Sequence, residues 1–249
     1  MDHIKEFIAI RNDAVPTSGE IPSPPDGRGV WLPLEEPFRS QTIAALVLIR
    51  RRRLEKQFGR MTVPRRFRDL SPSTLTAEEI VGKESAIAAA EAWARRESGK
   101  PGLLVWGLPG VGKSVLGWWA VPQRGWGLWQ TWPEFYKAVQ DGYSSGDAEA
   151  KMRAAQAVPV LFLDDLGDPD RVWIDREGNV CGRMATDDQR DILFRVVNHR
   201  VKEWAPIFIT SNLDGAGLMV QFGDRIVSRL LEICEFVEMG GMDLRRARL

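Results

Sequence analysis

Three short stretches of the chain are apolar at nearly every position and then turn polar: "PGLLVWG" (Pro101–Gly107), "VPVLFLDD" (Val158–Asp165) and "PIFITSN" (Pro206–Asn212). Runs of this length without alternation predict strands buried on both faces. "GWGLWQTW" is predicted to hold another strand. Between the strands lie helix patterns: "KSVLGWWAV", "PEFYKAVQDGYSSGDAEAKMRAAQA" with a break near "DGYSSGD", and "DQRDILFRVVNHRVKEW". Upstream, "TAEEIVGKESAIAAAEAWARRES" predicts a helix capped by Thr76 with Glu79 three residues later, a capping box, and stopped by Gly99. Near the end, "GDRIVSRLL" predicts a helix with Ile226 and Leu230 turned inward and Arg225 and Arg229, four apart, sharing another face. Strands alternating with helices in this way predict an α/β fold, a parallel sheet covered on two sides. Ligands of such sheets bind beyond the strand C-termini. The polar clusters fall there: Gly107 onward, Asp164–Asp165, and Thr210–Asn212.

The first third reads differently. Residues 1–13 predict a short amphipathic helix with Ile4, Phe7, Ile8 and Ile10 as its apolar side. "AVPTSGEIPSPPDGRGVWLPLEEP" is rich in Pro and Gly and reads as an extended linker. "SQTIAALVLIRRRRLEKQF" predicts a helix with Ser40 as N-cap and Gly59 as stop, and "VPRRFRDLSPSTL" a loop. The expected organisation is a small helical N-terminal partner-binding region with its linker, residues 1–60, followed by one larger domain, residues 61–249.

Composition narrows the function classes. Basic and acidic side chains balance at 34 each, so a nucleic-acid contact has to come from a local basic patch. Arg50–Arg68 is such a run. It reads equally as a polyanion contact or as a solvated helix face, with Phe58 and Phe67 either stacking on bases or docking on the domain. Cys181 and Cys234 have neither zinc spacing nor a disulfide framework, so the default is a reducing cytoplasmic setting. The apolar runs are too short for a membrane span, and the charged N-terminus does not read as a signal peptide.

The chemistry is carried by "GLPGVGKS" (Gly107–Ser114), a full G-x-x-x-x-G-K-[ST] between an apolar strand and a helix. Glycines 107, 110 and 112 let the backbone aim N–H groups at phosphate oxygens, and the following helix start adds partial positive charge. Lys113 is expected to reach the β/γ-phosphates and Ser114 to ligate Mg²⁺. "LFLDDLG" is the second half: Asp164 would hold the magnesium, and Asp165 would polarise the attacking water. Alone, an acidic strand end is ordinary turn chemistry; beside a complete P-loop it reads as catalytic. Asn212 is placed to orient water beside the γ-phosphate, with Thr210 or Ser211 sharing that task, or else "SNLDG" is a helix cap.

In this order the P-loop strand, "LFLDDLG", "PIFITSNL" and "GDRIVSRL" resemble an AAA+ ATPase of the DnaC/DnaI helicase-loader and IstB transposition-helper clade. The resemblance runs from about Thr62 to the C-terminus, and includes "VPRRFRDLSP" and "WQTWPEFYKAV". It implies the three-layer AAA+ P-loop fold, ATP and Mg²⁺ as ligands, slow ATP hydrolysis, head-to-tail self-assembly and single-stranded DNA contacts. It also implies that Gly107, Pro109, Gly110, Val111, Gly112, Lys113, Ser114 and Val115 cradle the nucleotide and that Ser114 and Asp164 face the metal. Asp165 then fills the catalytic acidic position, Asn212 is sensor 1, and Arg229 is the arginine finger acting on a neighbour's γ-phosphate. Arg225 either assists at that nucleotide or braces its helix.

Two features depart from the family pattern. "DPDRVWIDREGNVCGRMATDD" (Asp168–Asp188) is a long insertion that reads as a hairpin turning at Glu177-Gly178-Asn179. No separate C-terminal lid domain is expected; the terminal "GMDLRRARL" resembles the loaders' last basic strand, with Arg245 as a candidate sensor 2. The expected function is an ATP-dependent loader of a hexameric DnaB-type replicative helicase. The alternatives are an IstB-like helper acting on duplex DNA with a transposase, and a P-loop interaction protein that binds nucleotide without turnover.

Overall fold

The computed structural model describes residues 70–245 and, for backbone alone, two short segments, Phe7–Ile10 and Val30–Pro33. The chain divides into two compact units, Met1–Arg60 and Met61–Leu249. In the first, β1 (Phe7–Ile10) pairs antiparallel with β2 (Val30–Pro33), Phe7 opposite Pro33 and Ile10 opposite Val30. This corrects the helix expected over residues 1–13, whose Phe7–Ile10 is strand. "FIAI" fits a period of two as well as one of 3.6, and a short apolar run does not distinguish them. A lone helix of that length is also marginal in water, whereas a strand gains a ladder from Val30–Pro33, inside the expected linker. The helix expected from Ser40 and the basic run Arg50–Arg68 lie outside the described residues.

The second unit is α/β. It opens with α1 (Ala77–Ile80) and α2 (Glu84–Ala94). The capping box holds: Thr76 Oγ1 accepts from the Glu79 N–H, and Glu79 Oε2 accepts from the Thr76 N–H. The single helix expected here is broken at Gly82, whose φ is +78°. Then follow β3 (Gly102–Trp106), α3 (Lys113–Arg124), β4 (Gly127–Thr131), α4 (Trp132–Ser145), α5 (Ala148–Ala157) and β5 (Val160–Leu166). The expected hairpin is β6 (Val172–Ile174) and β7 (Val180–Gly182), antiparallel, with Asp175 Oδ1 accepting from the N–H groups of Glu177 and Asn179 in its turn. After it come α6 (Asp187–Lys202), β8 (Ile207–Ser211), α7 (Gly215–Phe222), α8 (Asp224–Ile233) and β9 (Cys234–Glu238). β9 was not expected; α7 starts at the cap read in "SNLDG", where Asp214 accepts from the Gly217 N–H. The last strand of the sheet is "CEFVE", not the terminal "GMDLRRARL", whose described part forms no strand.

Five strands form one parallel sheet in the order β4-β5-β8-β3-β9. Leu103, Val105, Phe162 and Phe208 face α2 and α3, where Trp93 and Trp118 close edge-to-face on Phe208 and Phe162. Leu104, Leu161, Leu163 and Ile209 point the other way and are equally buried, as expected of a sheet covered on both sides. Two cations clamp the edge where the strands begin. The buried Arg200 guanidinium donates to the carbonyls of Gln156, Val158, Pro159 and Pro206, just ahead of β5 and β8. Lys100 Nζ donates to the carbonyls of Leu231 and Cys234, at the end of α8. Arg200 satisfies carbonyls that burial would otherwise leave without donors. With one edge fixed, the opposite edge is left for polar groups. Among the described residues no helix is long and apolar enough to cross a membrane.

Candidate phosphate-binding site

At the C-terminal edge, β3, β5 and β8 lie side by side, so the ends of the three apolar strands converge. From β3 the chain turns through Gly107–Gly112 into α3. Gly110 has φ +86°, and a Cβ there would lie 2.1 Å from the Asp243 carboxylate. At Gly107, φ +150°, a Cβ would lie 2.2 Å from the Met239 carbonyl oxygen. Only glycine fits either position. Val111 is buried in the core and anchors the loop from below. Pro109 lies between these fixed points, and Val115 on the first turn of α3 lines an adjoining pocket.

Lys113 begins α3 and is 5% exposed. Its Nζ donates to the carbonyls of Gly107 and Leu108 and to Asn212 Oδ1, each at 2.8 Å. Burial lowers its pKa to about 8; Asp165 and Asp164 oppose that shift, and Arg245 adds to it. Next to it, Ser114 Oγ donates to Asp164 Oδ1 at 2.9 Å. Asp164 is 4% exposed, and burial pushes its pKa up against the hydrogen bonds from Thr210 and Ser114.

The two aspartates share the site through an irregularity in β5. Leu163 pairs with Ile209 and Leu166 with Ser211, so Asp164 and Asp165 together oppose the single residue Thr210. This is a β-bulge. Asp165 takes φ +53°, a left-handed conformation that Asp tolerates at a cost of about 1 kcal/mol. The Thr210 hydroxyl holds it there: Oγ1 accepts from the Asp165 N–H at 3.0 Å and donates to Asp164 Oδ1. The Asp165 side chain is exposed.

Thr210 and Ser211 therefore do not share in orienting water. Both are fully buried with their hydroxyls committed, Ser211 donating to the Leu166 carbonyl and accepting from the Leu213 N–H. Asn212, one residue on, is the group from β8 that reaches Lys113. Arg225 and Arg229 are not brought to this cluster. The Arg225 guanidinium lies 3.6 Å from the centroid of the Phe194 ring on α6, and Arg229 pairs with Glu232 at 2.5 Å. Arg245 does come near, close enough to act on Lys113.

Two parts of the site were not foreseen. A small pocket with an apolar lining opens beside the P-loop, bounded by Leu70, Pro72, Ile87, Gly112, Val115 and Leu244 among others. The segment after β9 also crosses the loop: the Met239 N–H donates to the Trp106 carbonyl and the Leu244 N–H to the Gly110 carbonyl. The signal for that crossing was present in "EMGGMD", since paired glycines mark close backbone approaches. Gly240 and Gly241 make theirs against Val81 and Gly82.

No protein-family model matches the chain, and no curated protein matches it in sequence. Solved structures do match its fold. The DnaC helicase loader aligns over 71% of this chain and 100% of its own, with TM-score 0.58 and 19% identity. DnaI aligns over 74% of this chain and 94% of its own, with TM-score 0.56 and 25% identity. AMPPCP-bound DnaA from Aquifex aeolicus aligns over 69% of this chain and 50% of its own, with TM-score 0.50 and 19% identity. The chain thus carries the AAA+ P-loop fold of the DnaC and DnaI structures.

Proposed function

We propose that the chain is an ATP-dependent loader of a hexameric replicative helicase, assembling head to tail and gripping single-stranded DNA. The observation that carries the nucleotide reading is the convergence of Lys113, Ser114, Asp164 and Asn212 in one hydrogen-bonded cluster at the ends of three adjacent strands. The loader reading is supported by the match to DnaC, named as a helicase loader, over the whole of that chain. The AMPPCP in the DnaA structure supports the nucleotide reading.

The residues present fit ATP and Mg²⁺. Lys113 exchanges the Gly107 and Leu108 carbonyls for β/γ-phosphate oxygens, while the backbone N–H groups from Gly110 to Val115 take the remaining anionic oxygens. Ser114 and Asp164, hydrogen-bonded to each other, would hold the metal beside the phosphates. When bound, it neutralises charge on the transferring phosphoryl group. The exposed Asp165 carboxylate takes the proton of the attacking water, and the Asn212 amide orients that water. The apolar pocket beside Gly112 and Val115 receives the base. Arg229 acts on a neighbouring subunit's nucleotide and leaves Glu232 to do so; an exposed pair of this kind is worth at most about 1 kcal/mol, so little opposes the exchange. Arg225, stacked on Phe194, braces α8. Arg245 lies near Lys113 as a sensor of the phosphates, and residues 1–60 recognise the helicase.

Three outcomes are expected. Full-length protein with ATP should co-sediment with a DnaB-type helicase and a single-stranded DNA oligonucleotide; capture of a transposase on duplex DNA with no helicase bound would replace the reading. Arg229→Ala and Lys113→Ala should each hydrolyse ATP poorly, and their mixture should recover activity at interfaces joining an intact pocket to an intact arginine; no recovery in assembled protein would remove the finger. Lys113, with a pKa of about 8 when free, should become fully charged on meeting phosphates. ATP binding at pH 8 should thus take up protons, read by calorimetry in buffers of different ionisation enthalpy. Uptake should vanish at pH 6, where the amine is already charged, and affinity should fall as pH rises past 8.

A further inference from the structure

The segment that follows β9 has a specific place. Its Gly240 N–H donates to the Gly82 carbonyl at 2.9 Å, and the buried Lys83 Nζ donates to the Met242 carbonyl at 3.3 Å. Leu244 then returns to the P-loop, its N–H donating to the Gly110 carbonyl at 3.0 Å. Between these anchors lies Asp243. Its carboxylate fills the space that a side chain at residue 110 would occupy, and its Oδ1 accepts from the Arg245 N–H at 2.9 Å. The next residue, Leu244, lines the apolar pocket together with Gly112 and Val115. Asp243 thus stands at the joint between a pocket suited to a base and a loop suited to phosphates.

In a nucleotide, the group that spans such a joint is the sugar. A vicinal diol offers two O–H donors, and an ionised carboxylate accepts two hydrogen bonds, the pairing that acidic residues use on ribose in dinucleotide sites. Alternative placements of a carboxylate here, facing the phosphates, would weaken binding by like-charge repulsion. We infer that Asp243 is the acceptor for the ribose hydroxyls of the bound nucleotide and makes the site prefer ribonucleotides to deoxyribonucleotides. This rests on the reading of the site as one for ATP.

The test is calorimetric titration of the full chain with ATP, 2′-deoxy-ATP and 3′-deoxy-ATP. Wild-type protein should bind ATP about tenfold more tightly than at least one deoxy analogue, the size expected of a lost hydrogen bond to a charged group. Asp243→Asn keeps the oxygen that caps the Arg245 N–H while removing the charge, so the segment stays in place. In it, and in Asp243→Ala, ATP affinity should fall and the discrimination should shrink toward one, with deoxy-nucleotide affinity little changed. A wild-type protein that binds all three equally, or a ratio unchanged in both variants, overturns the assignment. Tighter binding of all three in Asp243→Asn overturns it too, because the carboxylate would then be opposing phosphate. Absence of any ATP binding by wild-type protein would instead strike the underlying reading of the site, and the inference with it.

Discussion

A regular strand points consecutive side chains to opposite faces, so it offers one aspartate to a site, never two in a row. The hydroxyl of Thr210 is what lets β5 offer both. By accepting from the Asp165 N–H and donating to Asp164, it stabilises a bulge in which two residues oppose one, at a position sealed from water. The remainder of β5 keeps its register, and its apolar residues stay in the core. Asp164 is thereby held against Ser114 at the start of α3, and Asp165 is left exposed in a backbone conformation few residues accept. Both carboxylates still act on Lys113.

Lys113 is the second element of this balance. Burial lowers its affinity for a proton, and two loop carbonyls and the Asn212 amide oxygen hold it in the interim. Each of these partners is weaker than a phosphate oxygen, so the arrangement is one that an anion displaces readily. The segment from Met239 to Arg245 closes the same loop from the other side, fixing Gly107 and Gly110 by contacts that no side chain on either glycine would permit. The site is therefore shaped by three adjacent strands below and by the chain's own last described residues beside it. Clamping of the opposite sheet edge by Arg200 and Lys100 leaves those ends to chemistry.

Much of this was legible in the residues. Continuous apolar runs marked β3, β5 and β8 because parallel strands covered on both faces have no polar side to show. The capping box at Thr76 and the turn within the hairpin were readable because their determinants are local. What escaped is non-local. "FIAI" reads as helix or strand until its partner Val30–Pro33 is known, and "CEFVE" alternates too weakly to announce itself as an edge strand beside β3. Thr210 read as a hydroxyl that could help orient water, because its two partners lie 45 and 46 positions away in the chain. Asp243 gave no signal of its own; only the preceding glycine pair hinted that the backbone would pass close to something.

The dependence of the site on one hydroxyl can be measured directly by comparing ATP hydrolysis in Thr210→Val and Thr210→Ser proteins. Valine preserves shape and burial but can neither accept from the Asp165 N–H nor donate to Asp164. The account predicts that this variant folds and retains ATP binding while turnover falls by about a hundredfold, in the range of a lost catalytic proton acceptor. Serine, which keeps the hydroxyl, should stay within a few-fold of wild type. Unimpaired turnover in the valine protein would contradict the claim that the bulge, held by Thr210, is what brings the two aspartates into service.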